Sequence, residues 1–132
     1  MSEQTLTIGE MCAEFDVTPR TLRFYEYKEL LNPIRVGQKR LFTSKCRGRL
    51  KLILRGKRFG FSLDEIKDLL DLYTVGDGQV TQLSATLDAA EKHHVELISQ
   101  RDELDAAISD MEEQMSLVRQ MLEAKTTAKA AE

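Results

Sequence analysis

Residues 17–26, VTPRTLRFYE, decide how this chain is read. Thr18 is a good helix N-cap, because its side-chain oxygen can accept a free N–H of the first turn. Pro19 fits the first helical position, where its missing N–H costs nothing. Counted at 3.6 residues per turn, Leu22 shares a face with Glu26 but not with Arg20 or Arg23. The spacing therefore predicts a short helix that starts sharply and holds arginines away from its apolar edge. Such a helix suits insertion into a DNA groove.

Upstream, Thr7-Ile8-Gly9-Glu10 reads as a capping box, with Thr7 as cap and Glu10 reaching back. Ile8, Met11, Cys12 and Phe15 follow at helical spacing, and Asp16-Val17 turns the chain into the helix opened by Thr18. Two short helices so close together form a helix-turn-helix pattern. Downstream, Pro33 breaks helix before it. Ile34–Val36 and Arg40–Phe42 are strand candidates around Gly37-Gln38, where Gly supplies the positive φ of a tight hairpin. The hairpin carries Arg35, Lys39 and Arg40, so it can act as a wing lying along a phosphate backbone. Thr43 or Ser44 opens a third helix with Leu50, Ile53, Leu54 and Phe59 inward, and Gly60 stops it. Ser62-Leu63-Asp64-Glu65 is a second capping box, opening a fourth amphipathic helix through about Tyr73. Residues 74–79 read as a hinge.

The net charge of −3 hides a division. Residues 1–60 hold 13 Lys and Arg against 6 Asp and Glu, whereas residues 61–132 hold 6 against 16. A basic contact face and an acidic solvated half follow. The length suits one modest globular domain plus an extension. No apolar run approaches the roughly 18 residues of a membrane span, and the N-terminus lacks the pattern of a signal peptide. A cytoplasmic protein without membrane contact is expected. Cys12 and Cys46 form no CxxC pattern and read as small apolar core groups. No phosphate-cradling glycine loop, paired metal ligands or nucleophile–base set stands out, so neither an enzyme nor a cofactor is expected. Ser44 and Ser62 are better explained as caps.

From Val80 the pattern changes to a heptad. Val80, Leu83, Leu87, Ala90, His94, Leu97, Arg101, Leu104, Ile108, Met111, Met115, Val118 and Leu122 alternate steps of three and four without a slip. At roughly 1.5 Å per residue this helix reaches on the order of 60 Å. One helix cannot bury such a stripe alone, so a second copy is the simplest partner. Arg101 selects the direction. In a parallel in-register pair it would face its own copy. In an antiparallel pair it meets Leu97, and His94 meets Leu104, so no like charges oppose and the Arg stem covers apolar surface. His93 and His94 are adjacent, point to different sides and cannot chelate one ion together.

These segments, in this order, resemble the MerR family of bacterial transcription regulators. The resemblance rests on TIGEMCAEFDVTPRTLRFYEYKELLNP, on RVGQKRLFT and on LKLILRGKRFGFSLDEIKDLLDLY, with the terminal coil matching the family's dimerisation helix. It implies that Thr18–Tyr25 is the recognition helix, that Arg35–Phe42 is the first wing, and that Lys57 is a backbone-contacting position. It further implies a homodimer on a pseudo-palindromic promoter site, an effector that makes the dimer bend and untwist DNA, and RNA polymerase acting at the realigned promoter. Three departures stand out. Glu29 occupies a position that is usually Gly, no Cys follows residue 46, and no sizeable domain follows the coil. Metal and redox sensing are therefore not carried over. Residues 52–73 look most like the branch controlling leucine, isovalerate or fatty-acid breakdown, which implies an acyl-type effector.

The resulting expectation is a mainly α chain, with a winged helix-turn-helix domain over 1–73, a hinge over 74–79, an antiparallel dimerisation coil over 80–125 and a flexible tail over 126–132. Arg20 and Thr21 at the start of the recognition helix should meet base edges, with Thr18 beside them. Arg23 and Tyr25 should bind phosphate, and Arg35, Lys39, Arg40 and Lys57 should add phosphate contacts and salt dependence. Leu83, Leu87, Leu97, Arg101, Leu104, Ile108, Met111, Met115 and Val118 should form the dimer seam. The rival expectation is a coiled-coil adaptor whose basic domain binds an acidic protein.

Overall fold

Thr7 ends one element and starts the next. Leu6–Thr7 forms a two-residue strand, β1, and the Thr7 side chain then caps helix α1, Ile8–Phe15. The computed structural model describes residues 4–72, 76 and 78–131. After α1 come α2, Pro19–Tyr27, then β2, Ile34–Val36, and β3, Lys39–Phe42. Helices α3, Ser44–Arg58, α4, Leu63–Asp71, and α5, Val80–Ala131, complete the order. The described residues form two compact units, one up to His93 and one from His94 onward.

Local chemistry places each boundary. The Thr7 hydroxyl accepts from the Glu10 N–H at 3.2 Å while the Glu10 carboxylate accepts from the Thr7 N–H at 2.9 Å. Ser62 and Glu65 repeat the reciprocal pair at 3.1 and 3.0 Å. Thr43, not Ser44, caps α3, accepting from the Cys46 N–H at 3.3 Å. Each pair satisfies N–H groups that a helix start leaves open. Strand β3 pairs antiparallel with β2 on one side and β1 on the other, with Val36 opposite Lys39 and Leu6 opposite Phe42. Gly37 sits at φ 62° in the two-residue turn, as a Gly-first hairpin loop requires. Strand β1 is the unforeseen element, too short to leave an alternating pattern.

Two helices end in the same hydrogen-bonded hook with different residues at its left-handed position. After α3, Gly60 takes φ 93°, with the Phe61 N–H donating to the Gly56 carbonyl at 3.0 Å and the Gly60 N–H to the Lys57 carbonyl at 3.1 Å. After α2, Glu29 takes φ 61°, with the Leu30 N–H donating to the Tyr25 carbonyl at 2.8 Å and the Glu29 N–H to the Glu26 carbonyl at 2.9 Å. Both are Schellman motifs. Glycine adopts this conformation freely, whereas a residue with a Cβ is strained there. Glu29 therefore keeps the usual turn and carries its cost.

The core lies where α1, α2, α3 and α4 meet the sheet. Met11, Leu22, Phe42, Leu50 and Ile53 are fully buried, with Leu30, Leu31, Cys46, Phe61, Ile66 and Leu70 around them. Full burial stabilises a side chain such as Leu22 by roughly 1.5–3 kcal/mol. Phe59, expected inside, is 43% exposed because it is the C-cap of α3, where the helical face is lost. The Arg49 guanidinium donates to the Leu30 carbonyl at 2.8 Å, tying α3 to the segment after α2.

The first turns of α5 belong to the N-terminal unit. Ala89 and Ala90 pack against the core, and Gln82 donates to the Leu69 carbonyl at 2.9 Å. His93 stacks on Phe61, with centroids 4.4 Å apart, and its Nε2 lies 3.0 Å from the Glu65 carboxylate. The Ser62 N–H and then His93 hold the Glu65 carboxyl below its ordinary pKa. Helix α5 starts at Val80, and two small alanines and a stacking imidazole fit its first turns, as far as His93, to the domain. Tyr73 and hinge residues 74, 75 and 77 lie outside the described residues. At the other end α5 continues to Ala131 instead of giving way to a tail after 125, consistent with the helix-favouring Ala and Lys of this segment. From Leu104 on, its large apolar residues are exposed, including Ile108, Met111, Met115 and Val118.

Replacing Glu29 by Gly should raise the stability of the chain by about 1 kcal/mol, read as a higher urea midpoint at unchanged slope. Glu29→Ala, which keeps the Cβ, should show no such gain.

Candidate nucleic-acid interface

Helix α2 is nine residues long, too short to be stable alone, so its burial decides which side faces out. Leu22 is fully buried and Tyr25, three positions on, is 7% exposed. That edge turns inward and leaves Arg20 and Arg23 exposed, with Thr21 half-buried. Thr18 accepts from the Thr21 N–H at 3.2 Å, and the two hydroxyls lie 2.9 Å apart. The start of the helix is therefore a rigid platform of Thr18, Arg20 and Thr21. Phe24 and Tyr27 are also exposed, and the Lys28 ammonium lies 5.8 Å from the centre of the Phe24 ring.

Tyr25, expected to bind phosphate, is 7% exposed. It shares the Leu22 edge, so its ring is part of the core, and burial pushes its hydroxyl pKa up. Any contact it makes to phosphate is that of a neutral O–H at the margin of a buried ring.

Glu26 joins the wing to α2. Its Oε1 accepts from Arg35 Nη2 at 2.8 Å and Nε at 3.2 Å, and its Oε2 accepts from Arg40 Nε at 2.6 Å. Arg35 on β2 and Arg40 on β3 are cross-strand partners, so one carboxylate grips both strands. Two cations around one carboxylate leave a net positive site, and charge-assisted bonds of this kind are short and directional. Burial alone would raise the Glu26 pKa, but hydrogen bonds and charge from Arg40 and Arg35 outweigh it and hold the carboxyl below its ordinary value. Sequence reading placed both arginines on the wing without finding Glu26. Its signal was present, an acid on the Leu22 side of α2, yet only the fold brings residues 26, 35 and 40 together.

The remaining cations lie apart from this clamp. Lys39 is exposed at the tip of the wing, opposite Val36. Lys57 is exposed in the last turn of α3 with Arg55 and Arg58, where positive charge suits the helix C-terminus. Arg47 is held differently, through Nε at 3.2 Å from Glu14 of α1. Exposed arginines on α2 and exposed cations on the hairpin and on the end of α3 offer a basic surface that can read base edges at one point and grip phosphates at others.

The clamp titrates in acid. Because the Glu26 pKa is lower in the folded chain, its contribution is present above the ordinary carboxylate range and is lost as pH falls through the folded value. The Arg35 and Arg40 side-chain N–H resonances should shift together as pH falls into that range. In Glu26→Gln they should stay unchanged, and stability at neutral pH should drop by up to about 1 kcal/mol.

The chain is similar to known proteins in sequence and fold. The family described as MerR HTH family regulatory protein matches residues 6–72, and that described as MerR, DNA binding matches residues 47–114. The HTH-type transcriptional regulator ZntR of Escherichia coli is 39% identical over 67 residues, covering 49% of this chain; the chain spans about half, 48%, of that protein. An HTH-type transcriptional regulator of Pseudomonas aeruginosa is 32% identical over 107 residues, covering 80% of this chain and 78% of its own length. Among solved structures, HiNmlR, a MerR family regulator lacking the sensor domain and bound to promoter DNA, superposes with a TM-score of 0.63 at 27% identity, covering 77% of this chain and 80% of that one. A MerR family regulator from Bacillus cereus gives 0.69 at 26% identity, covering 83% and 79%. With an exposed arginine face on α2, a wing clamped beside it and both family matches spanning half of its length or more, the chain belongs to the MerR family of DNA-binding transcriptional regulators.

Proposed function

We propose that the chain acts as a homodimer that binds a pseudo-palindromic promoter operator and bends or untwists it in response to a small-molecule effector. The observation that carries this reading is the outward arginine face of α2 with a wing locked beside it by Glu26. Arg20 and Thr21, at the helix start with Thr18 beside them, meet base edges; Arg23, the Tyr25 hydroxyl, Arg35, Lys39, Arg40 and Lys57 meet phosphates. Smooth bending of a site costs roughly 1–6 kcal/mol, a range that a set of charge-assisted phosphate contacts can offset. The structure of HiNmlR bound to promoter DNA supports promoter binding by this chain. RNA polymerase is then the partner that uses the realigned promoter. An acyl-type effector and a role in leucine, isovalerate or fatty-acid breakdown belong to the same proposal, on the resemblance of residues 52–73.

The dimer is antiparallel along α5. Leu83, Leu87, Leu97, Leu104, Ile108, Met111, Met115 and Val118 are all at least 40% exposed, a stripe that a second copy covers. Arg101 is 65% exposed and bonded to Asp102 at 3.2 Å, so its head stays in water while its stem lies against Leu97 of the other copy.

Arg20→Ala should cost about 1–3 kcal/mol at one base pair and relax sequence preference there, measured by competition between operator variants. Lys39→Ala should weaken specific and random duplexes alike and flatten the salt dependence. Equal losses on both duplexes for Arg20→Ala would remove its base-reading role. Selection of bound genomic fragments tests the operator and its promoter spacing directly.

The dimer has its own check. Mixed Leu97→Cys and Arg101→Cys chains should crosslink readily under mild oxidation, and Arg101→Cys alone should not. The opposite pattern would mean a parallel pair.

A further inference from the structure

The first turns of α5 carry two stripes side by side. Leu83, Leu87 and His94 are exposed and belong to the heptad seam. Beside them Gln82, Ala85, Ala89 and His93 are partly covered, at the three- and four-residue steps of one helix face. The covered stripe stops at His93, where the N-terminal unit ends, and Glu96 and Leu97 in the next turn are exposed. A second copy that covers the seam therefore leaves the His93 face on its own domain.

His93 is the one ring on that stripe, and its side chain is 13% exposed. The imidazole stacks on the buried Phe61 ring, and its Nε2 lies 3.0 and 3.1 Å from the two Glu65 carboxylate oxygens. Both partners sit at the corner between α3 and α4. The Phe61 N–H closes the hook that ends α3, and Glu65 Oε1 accepts the Ser62 N–H at 3.0 Å in the box that starts α4. Lys57, in the last turn of α3, stands just before that corner. Alanine methyls let one helix slide on another, whereas a stacked ring with a directional hydrogen bond fixes both position and rotation.

Leverage makes this joint matter. His93 lies about 20 Å along α5 from Val80, so a slip of about 1 Å there tilts the helix by about 3° and moves a point about 60 Å along it by about 3 Å. One base pair rises about 3.4 Å. Play at the joint is thus on the scale that separates one half-site spacing from the next. We propose that His93 is a positioning residue that locks α5 to the α3–α4 corner and thereby sets the half-site separation that the two reading heads of a homodimer accept. It acts through Phe61 and Glu65 and touches no DNA. The inference rests on the homodimer and operator reading above and adds the residue that makes the dimer selective for spacing.

The test is competition binding of the full chain to the operator recovered by genomic selection, in a series whose half-sites are moved together or apart by single base pairs. The parent should lose about tenfold or more in affinity for each base pair added or removed. His93→Ala should flatten the series to within about threefold, while binding a duplex with a single half-site as the parent does. His93→Phe, which keeps the stack and drops the Glu65 bond, should fall between, and it carries the test if His93→Ala does not fold. Glu65→Gln, which keeps the α4 cap and a hydrogen-bond partner for the imidazole, should retain the parent's preference. An undiminished spacing preference in the His93 variants would overturn the proposal. So would an equal loss at every spacing, which is what a purely structural role produces. A parent that binds its operator but is indifferent to spacing would defeat this inference alone. A parent that is monomeric or ignores every duplex would defeat the operator reading, and this inference with it.

Discussion

Burial of the Leu22–Tyr25 edge of α2 is the contact on which the rest depends. A nine-residue helix gains too little from its own hydrogen bonds to persist in water. The apolar contacts of Leu22 and Tyr25 with the core hold it and, in doing so, fix its rotation. Once that edge faces inward, Arg20 and Arg23 must face outward. The Schellman hook through Glu29 then turns the chain so that Leu30 and Leu31 re-enter the same core, which brings the wing back toward α2. The strain at Glu29 is local, and the two hydrogen bonds of the hook and the burial of Leu30 oppose it.

Electrostatics refine what packing sets. The domain is rich in cations, and cations placed close together repel. Glu26 relieves this by gripping Arg35 and Arg40 at once, converting a floppy two-stranded ribbon into one whose position follows the helix. An isolated hairpin is marginal in water, so a third strand and a carboxylate clamp both matter to the wing. Helix α5 shows a similar division of labour. Its first turns use small residues, Gln82 and His93 to dock on the domain, whereas the later heptad residues keep their apolar side chains at the surface.

The sequence alone determined the helices, because caps and periodicity act between residues three or four apart. Thr7, Thr18 and Ser62 announce starts, Gly60 announces a stop, and the heptad from Val80 announces a long helix. The cationic face of α2 and the hairpin were legible for the same local reason. Tertiary structure decided what depends on distant residues meeting. It paired β1 with β3, drew Glu26 between Arg35 and Arg40, put the Tyr25 ring into the core, and attached α5 as far as His93 to the domain. Those outcomes follow from packing and charge pairing across gaps of about ten to forty residues, and no pattern within one helix or strand encodes them.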